Sequence, residues 1–84
     1  MISTHLPRRS LVDQTVDQLR SHIRSGQWPV GSRIPTEPEL TTQFGISRNT
    51  LREAIRVLCV TGMLDVRQGD GSYVRSALDA AAPR

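Results

Sequence analysis

Near the middle of the chain, two helical patterns are separated only by a short turn at residues 45–47. Thr36 and Glu39 have the spacing of a capping box, which marks the start of the first of these helices. Gly45 is suited to end that helix, and Ser47 is suited to cap the next one. Because so short a connection makes the two helices cross at a steep angle, the segment predicts a helix-turn-helix unit.

A further helix and a short strand are predicted before this unit. Ser10 can cap the helix and Gly26 can act as its C-cap; the apolar residues that recur between them at helical spacing are Val12, Val16, Leu19 and Ile23. The segment that follows is rich in proline and glycine, and we expect a short strand around residues 32–34. The helix after the turn is predicted over residues 48–61.

After Gly62 the apolar pattern changes from the period of a helix to that of a strand. Leu64 and Val66 alternate with polar neighbours, and a glycine-rich tip at residues 68–71 then turns the chain into a second strand. The order of elements predicts an α+β fold that is mainly α. It is a winged helix-turn-helix, with three helices, a short strand after the first helix, and a C-terminal β-hairpin as the wing.

The charge balance indicates a negatively charged partner. The chain has 84 residues, and its eleven basic residues other than histidine are all arginine, against eight carboxylates. The formal net charge is +3 and the sequence pI is near 10.4. On so short a chain, this balance is typical of a domain that meets a polyanion.

Other classes of function find little support in the sequence. There are no paired carboxylates, no nucleophile with a base, and no glycine loop for phosphate, so we expect no enzyme. His5 and His22 lack neighbouring ligands at metal spacing, so neither a metal ion nor another cofactor is expected. The lone Cys59, with no signal peptide and no long apolar run, favours the cytoplasm.

The third predicted helix separates its arginines from its apolar residues. At about 100° per residue, Arg52 lies about 40° and Asn49 about 100° from Arg48, while the apolar arc spans about 240° to 340°. That arc, which we expect to be buried, holds Leu51, Ala54, Ile55 and Leu58. The basic arc suits a DNA major groove, since arginine pairs with guanine and asparagine with adenine. Arg56 is expected to hold a phosphate or an ion pair, and Glu53 to pair with neighbouring arginines.

The hairpin tip at residues 68–71 is the second candidate contact surface. Its glycines suit a tight turn, and they also let the backbone approach a partner closely. Beside a helix in the major groove, the tip can enter the minor groove or lie along phosphates, with Gln68 and Arg67 as donors. Asp70 is expected to repel phosphate, so the sequence leaves the depth of insertion open.

Three motifs together resemble the N-terminal domain of the GntR family of bacterial transcription regulators, with the FadR-type branch as the nearest match. They are PTEPEL at residues 35–40, FGISRNTLREA at residues 44–54 and GDGSYV at residues 69–74. The resemblance covers about residues 10–75. It implies a winged helix-turn-helix that binds a palindromic double-stranded DNA operator as a homodimer. Such a domain usually represses, until a small-molecule effector binds a separate C-terminal domain.

The resemblance also implies which residues contact DNA. They are Ser47, Arg48, Asn49, Thr50 and Arg52 on the recognition helix and Gly69 at the wing tip, to which the tip's own chemistry adds Gln68. One position departs from the family pattern. FadR-type members place a DNA-contacting arginine directly after the position of Glu37, and here that position is Pro38. We therefore expect this contact to be missing.

The same reading divides the chain into three parts. Residues 1–9 are predicted to be a flexible arm, residues 10–75 the DNA-binding domain, and residues 76–84 a linker toward an effector domain that the sequence does not contain. Without a sensor domain, we expect DNA binding that escapes metabolite control and weak dimerisation off DNA.

Two other interpretations of the basic arc stay open at this point. The arc can be a solvated helix face, or a winged helix can bind an acidic protein surface. RNA binding is less favoured, because the three aromatic residues are not arrayed as a stacking platform. The operator, the regulated gene, the effector and the direction of regulation are not readable from the sequence.

Overall fold

The computed structural model describes residues 10–78. Within them, three helices precede a two-stranded antiparallel sheet. The helices are α1 (Leu11–Arg24), α2 (Glu37–Phe44) and α3 (Arg48–Val60), and the strands are β1 (Leu64–Arg67) and β2 (Gly71–Val74). This architecture confirms the predicted winged helix-turn-helix. The predicted arm at residues 1–9, and the part of the predicted linker at residues 79–84, lie outside the described residues.

Each helix begins at a hydroxyl side chain that the sequence predicts as its cap. The side chains of Ser10, Thr36 and Ser47 each accept a hydrogen bond from the backbone N–H three residues ahead, at 3.0, 3.4 and 3.1 Å. The first backbone N–H groups of a helix have no partner inside the helix, so each of these bonds satisfies one of them.

At the start of α2 the capping is reciprocal. The Glu39 carboxylate accepts the Thr36 backbone N–H at 2.8 Å and the Thr36 hydroxyl at 3.0 Å. These hydrogen bonds favour the ionised carboxylate and hold the pKa of Glu39 below its ordinary value. The capping box therefore fixes the first turn of α2, to which Glu37 belongs.

The helix ends follow the predicted glycines with small shifts. Gly45 caps α2 in the left-handed conformation, with φ of 65°, which glycine adopts without steric cost. The C-cap of α1 is Ser25 and not Gly26 as predicted, because Ser25 keeps helical dihedral angles and the chain reverses only at Gly26, with φ of 83°. Helix α3 ends at Val60, one residue before the predicted end, and its C-cap is Thr61.

The core lies where α1 and α3 pack together and is closed by α2 and the base of the hairpin. Its members are Val16, Leu19, Ile23, Trp28, Ile34, Leu40, Leu51, Ala54, Ile55, Leu58, Met63, Leu64 and Val74. The arc of α3 that the helical wheel assigns to the interior is thus buried as predicted. No helix within residues 10–78 is both long enough and apolar enough to cross a membrane.

The strand predicted at residues 32–34 is reduced to a single bridge between Arg33 and Tyr73 of β2. Two backbone hydrogen bonds flank it, Ile34 N–H to Ser72 O and Val74 N–H to Ser32 O, both at 2.9 Å. Pro35 has no N–H to continue the ladder, so the pairing stops there. The segment nevertheless places Arg33 beside the wing.

Replacing a buried residue of α3 tests this core. Leu51 is fully buried and Ile55 is 8% exposed. We expect Leu51→Ala and Ile55→Ala each to lower the free energy of unfolding by about 2–5 kcal/mol, because each leaves a cavity in a small core. Urea unfolding followed by circular dichroism measures the change.

The matched control is Val60→Ala on the same helix, where the side chain is 82% exposed. Its free energy of unfolding should change by at most about 0.5 kcal/mol. Equal effects of the buried and exposed variants would contradict the assignment of the buried arc.

The capping box gives stability a dependence on pH. Because the pKa of Glu39 is lowered in the folded state, the ionised carboxylate stabilises the fold above the ordinary value of 4.5, and this contribution is lost as the pH falls through the lower folded pKa. Glu39→Gln should therefore be less stable than the wild type at neutral pH, with a difference that shrinks in acid. Urea midpoints across the acidic range measure it, and a difference independent of pH would contradict this account.

Candidate nucleic-acid interface

The outward face of α3 carries the predicted basic arc. The side chains of Arg48 and Arg52 are 67% and 58% exposed, and Asn49 and Arg56 are exposed as well. The opposite arc of the same helix is buried in the core. Guanidinium groups and an amide are therefore presented together at the N-terminal half of a helix that the core holds in a fixed rotation.

A carboxylate from α2 organises two of these arginines. Arg52 Nε donates to Glu37 Oε2 at 3.0 Å, and an Nη of Arg52 donates to Glu37 Oε1 at 3.4 Å. Arg48 Nε lies 3.8 Å from the same Oε1 atom. Exposed pairs of this kind contribute at most about 1 kcal/mol to stability, so their main effect is on orientation. The other edge of each guanidinium still has free N–H donors for a partner.

The predicted pairing of Glu53 with neighbouring arginines is wrong. Within residues 10–78 Glu53 forms no ion pair, and Glu37 takes the role that we predicted for it. Arg56 also forms no ion pair there, so a phosphate contact remains the prediction for it. The packing of α2 on α3 brings the starts of the two helices together, as the contacts of Glu37 show, whereas Glu53 lies about 100° around α3 from Arg52. Glu37 and Arg52 are fifteen residues apart in sequence, so no helical period indicates the contact.

The start of α3 combines capping with exposed hydroxyl groups. Ser47 Oγ accepts the Thr50 backbone N–H at 3.1 Å and donates its own proton to Thr50 Oγ1 at 3.0 Å. The Ser47 hydroxyl is thus engaged in starting the helix. Thr50 accepts this bond and keeps its own O–H proton, which can be donated to an acceptor outside the domain.

The wing tip is a tight turn that requires glycine. The strand register pairs Arg67 with Gly71 and leaves residues 68–70 as the connecting loop. Asp70 N–H donates to Arg67 O at 3.0 Å, and Gly69 has φ of 78°, in the left-handed region. Gln68 and Gly69 are both exposed at the end of the hairpin.

The Asp70 carboxylate contacts neighbouring side chains at the wing, so its negative charge has partners within the domain. Tyr73 donates its hydroxyl to Asp70 Oδ2 at 2.8 Å, which raises the pKa of Tyr73. Arg33 Nη1 lies 3.5 Å from Asp70 Oδ1. On the same hairpin, the Arg67 guanidinium lies 3.9 Å from the centre of the Tyr73 ring. Asp70 is therefore part of a cluster with Tyr73 and Arg33.

A groove separates α3 from the wing and brings the two candidate surfaces together. Its walls include Arg52 and Ile55 from α3, and Val66, Gln68 and Gly69 from the wing. Val66 shares a strand face with Leu64, but it lies beyond the core and is 54% exposed. The other predicted site residues, at positions 47–50, lie at the start of α3. Within the described residues, no cluster of histidine, cysteine and carboxylate side chains could hold a metal ion.

Comparisons with known proteins agree with this geometry. The family model for bacterial regulatory proteins of the gntR family matches residues 11–74. The chain is 41% identical over 70 residues to the putative L-lactate dehydrogenase operon regulatory protein of Escherichia coli, a match that covers 83% of this chain and 27% of that protein. It is 40% identical over 67 residues to the mannosyl-D-glycerate transport/metabolism system repressor MngR of Escherichia coli, covering 80% of this chain and 28% of that protein.

A solved structure extends the likeness to three dimensions. The AraR DNA-binding domain in complex with operator ORX1 is 36% identical to this chain, with a TM-score of 0.77, and the match covers 88% of this chain and 92% of that one. The chain therefore spans nearly all of an isolated DNA-binding domain, but only 27% to 28% of the two full-length relatives.

Proposed function

Since this chain belongs to the GntR family of bacterial regulatory proteins, we propose that it binds a specific double-stranded DNA operator and thereby regulates transcription. The two Escherichia coli relatives are named as an operon regulatory protein and a repressor, not as enzymes. The AraR domain of the same fold is in complex with an operator. Repression is the direction that we propose for this chain.

One observation carries the proposal: Arg52, on the exposed basic face of α3, and the glycine tip of the wing line the same groove. A helix fits the major groove of B-form DNA, and guanidinium forks pair there with guanine. We assign Arg48, Asn49 and Arg52 to base or phosphate contacts in the major groove of the operator. The N-terminus of α3 adds free backbone N–H groups that favour an approaching phosphate.

The remaining site residues are assigned by their position around this helix. We assign Thr50 and Ser47 to phosphate contacts at the start of α3. Thr50 would use its free hydroxyl proton and Ser47 its backbone N–H, because the Ser47 hydroxyl proton is donated to Thr50. Gly69 and Gln68, exposed at the wing tip, are assigned to the minor groove. These contacts orient the domain, whereas the arginines and Asn49 supply sequence discrimination.

Glu37 acts in this proposal as a positioning residue. Its two carboxylate oxygens hold one edge of the Arg52 guanidinium, which leaves the opposite edge directed outward for a bidentate pair with guanine. Pro38, the next residue, is exposed and carries no donor, so the arginine contact of FadR-type relatives has no counterpart here. Operator preference should differ accordingly.

We further propose how the domain is used in a longer regulator. Residues 10–75 form the DNA-binding domain, which acts in the cytoplasm, with an arm at residues 1–9 and a linker at residues 76–84. Two copies bind a palindromic operator as a homodimer. In a protein that joins this DNA-binding domain to an effector domain, a small molecule bound by the effector domain controls DNA binding. Placement in the FadR-type branch requires the effector domain to be all-helical. The motifs at residues 35–40 and 44–54 support that placement.

A selection from random duplexes tests the function. We expect inverted repeats among the bound sequences, because a two-fold dimer reads two equal half-sites. With the selected duplex, the logarithm of the affinity should fall linearly with the logarithm of the salt concentration, by about 0.9 for each phosphate neutralised. Single half-sites would indicate a monomer. Little binding to any duplex at low salt would favour the alternative that the winged helix binds an acidic protein surface.

Arg52→Ala separates base reading from phosphate binding. We expect a loss of about 1–3 kcal/mol on the selected operator, with relaxed discrimination at one base pair, because a bidentate pair is removed. The matched control is Arg24→Ala, which removes the same charge from the exposed end of α1, outside the groove. If Arg52→Ala loses the same affinity for every DNA sequence, Arg52 contacts phosphate and not a base. If Arg24→Ala loses as much affinity as Arg52→Ala, Arg52 has no special position in the interface.

A further inference from the structure

An ion pair at the wing tip is not used by the contacts assigned above. Arg33 Nη1 donates to the Asp70 backbone O at 3.3 Å and lies 3.5 Å from Asp70 Oδ1. The two side chains are 52% and 48% exposed. They come from segments thirty-seven residues apart in sequence, and they meet beside Gly69.

The path of Arg33 explains how it reaches the tip. A Cβ atom at Gly71 would lie only 2.8 Å from Arg33 Cδ, so the arginine stem passes directly over the glycine backbone. A side chain at position 71 would push this stem aside. The guanidinium is thereby delivered to the end of the hairpin, although its backbone bridges Tyr73 in the body of the sheet.

We propose that Arg33 is a further DNA-contacting residue, held by Asp70 in the free protein and transferred to a phosphate when the wing meets DNA. This inference rests on the proposed function. The pair suits such an exchange because it is exposed and its two contacts, both made by Arg33 Nη1, are long at 3.3 and 3.5 Å. Exposed ion pairs of this kind are weak in water. A phosphate offers the guanidinium shorter, charge-assisted and bidentate hydrogen bonds.

Asp70 is the competitor in this exchange, and the wing keeps it in place. Its Oδ2 atom accepts the Tyr73 hydroxyl at 2.8 Å, independently of Arg33. The carboxylate therefore stays at the tip whether or not the arginine leaves. The same negative charge attracts Arg33 and repels phosphate. Asp70 therefore lowers the affinity of the domain for every duplex, and the size of this loss depends on whether Arg33 is present.

A double-mutant cycle tests the exchange, with Arg33→Ala, Asp70→Asn and the combined variant measured on the selected operator and on an unrelated duplex across a salt series. Asparagine keeps an acceptor for Tyr73 while removing the charge. Arg33→Ala should weaken binding to both duplexes and reduce the slope of log affinity against log salt by about 0.9. Asp70→Asn should tighten binding roughly two- to fivefold when Arg33 is present, the range that an exposed ion pair spans. The gain should shrink when the same substitution is made together with Arg33→Ala.

Several outcomes overturn the inference. An unchanged salt slope in Arg33→Ala means that Arg33 meets no phosphate, and an equal gain from Asp70→Asn in both backgrounds means that Asp70 acts only by general repulsion. Weaker binding of Asp70→Asn means that the pair braces the wing in the complex. Arg33→Gln, which retains the stem over Gly71, replaces Arg33→Ala if thermal unfolding shows a loss of fold. If the wild type binds no duplex, the proposed function itself fails; if it binds and Arg52→Ala weakens it, only the role of Arg33 is in question.

Discussion

The packing of α3 against α1 fixes the rotation of α3, and every functional assignment on that helix depends on this rotation. Leu51 and Leu58 are completely buried, two turns apart on the same arc. A change of one residue in this register would turn the helix by about 100° and move the arginine arc toward the core, where an unpaired charge is costly. The aliphatic contact therefore decides which side chains of α3 face outward, although its own members are buried.

Carboxylates lie at the edges of the basic surface formed by α3 and the wing, and they hold its arginines. Glu37 holds Arg52 and Arg48 at the start of α3, and Asp70 holds Arg33 at the wing tip. In the free domain, two oxygen atoms of Glu37 restrain the Arg52 guanidinium, which reduces the entropy that this side chain loses on binding a partner. The surface is thus basic in net charge, but its cations are ordered by a small number of acidic neighbours.

Local patterns were sufficient to predict most of the fold. The caps Ser10, Thr36 and Ser47 act within three residues, and the buried arc of α3 follows from its period alone. The site was less predictable, because its partners are distant in sequence: Glu37 meets Arg52 only through the crossing of two helices. The prediction of a strand at residues 32–34 was wrong in extent for a comparable reason, since its length depends on where β2 can pair with it.

The basic side chains of this chain other than its histidines are all guanidinium groups, since its eleven basic residues contain no lysine. A guanidinium group has no primary amine for an acyl donor to attack. Lysine acetylation can therefore remove no charge from the face of α3 or from the wing. Ionic strength and phosphate-rich competitors can still weaken the contacts that this surface makes.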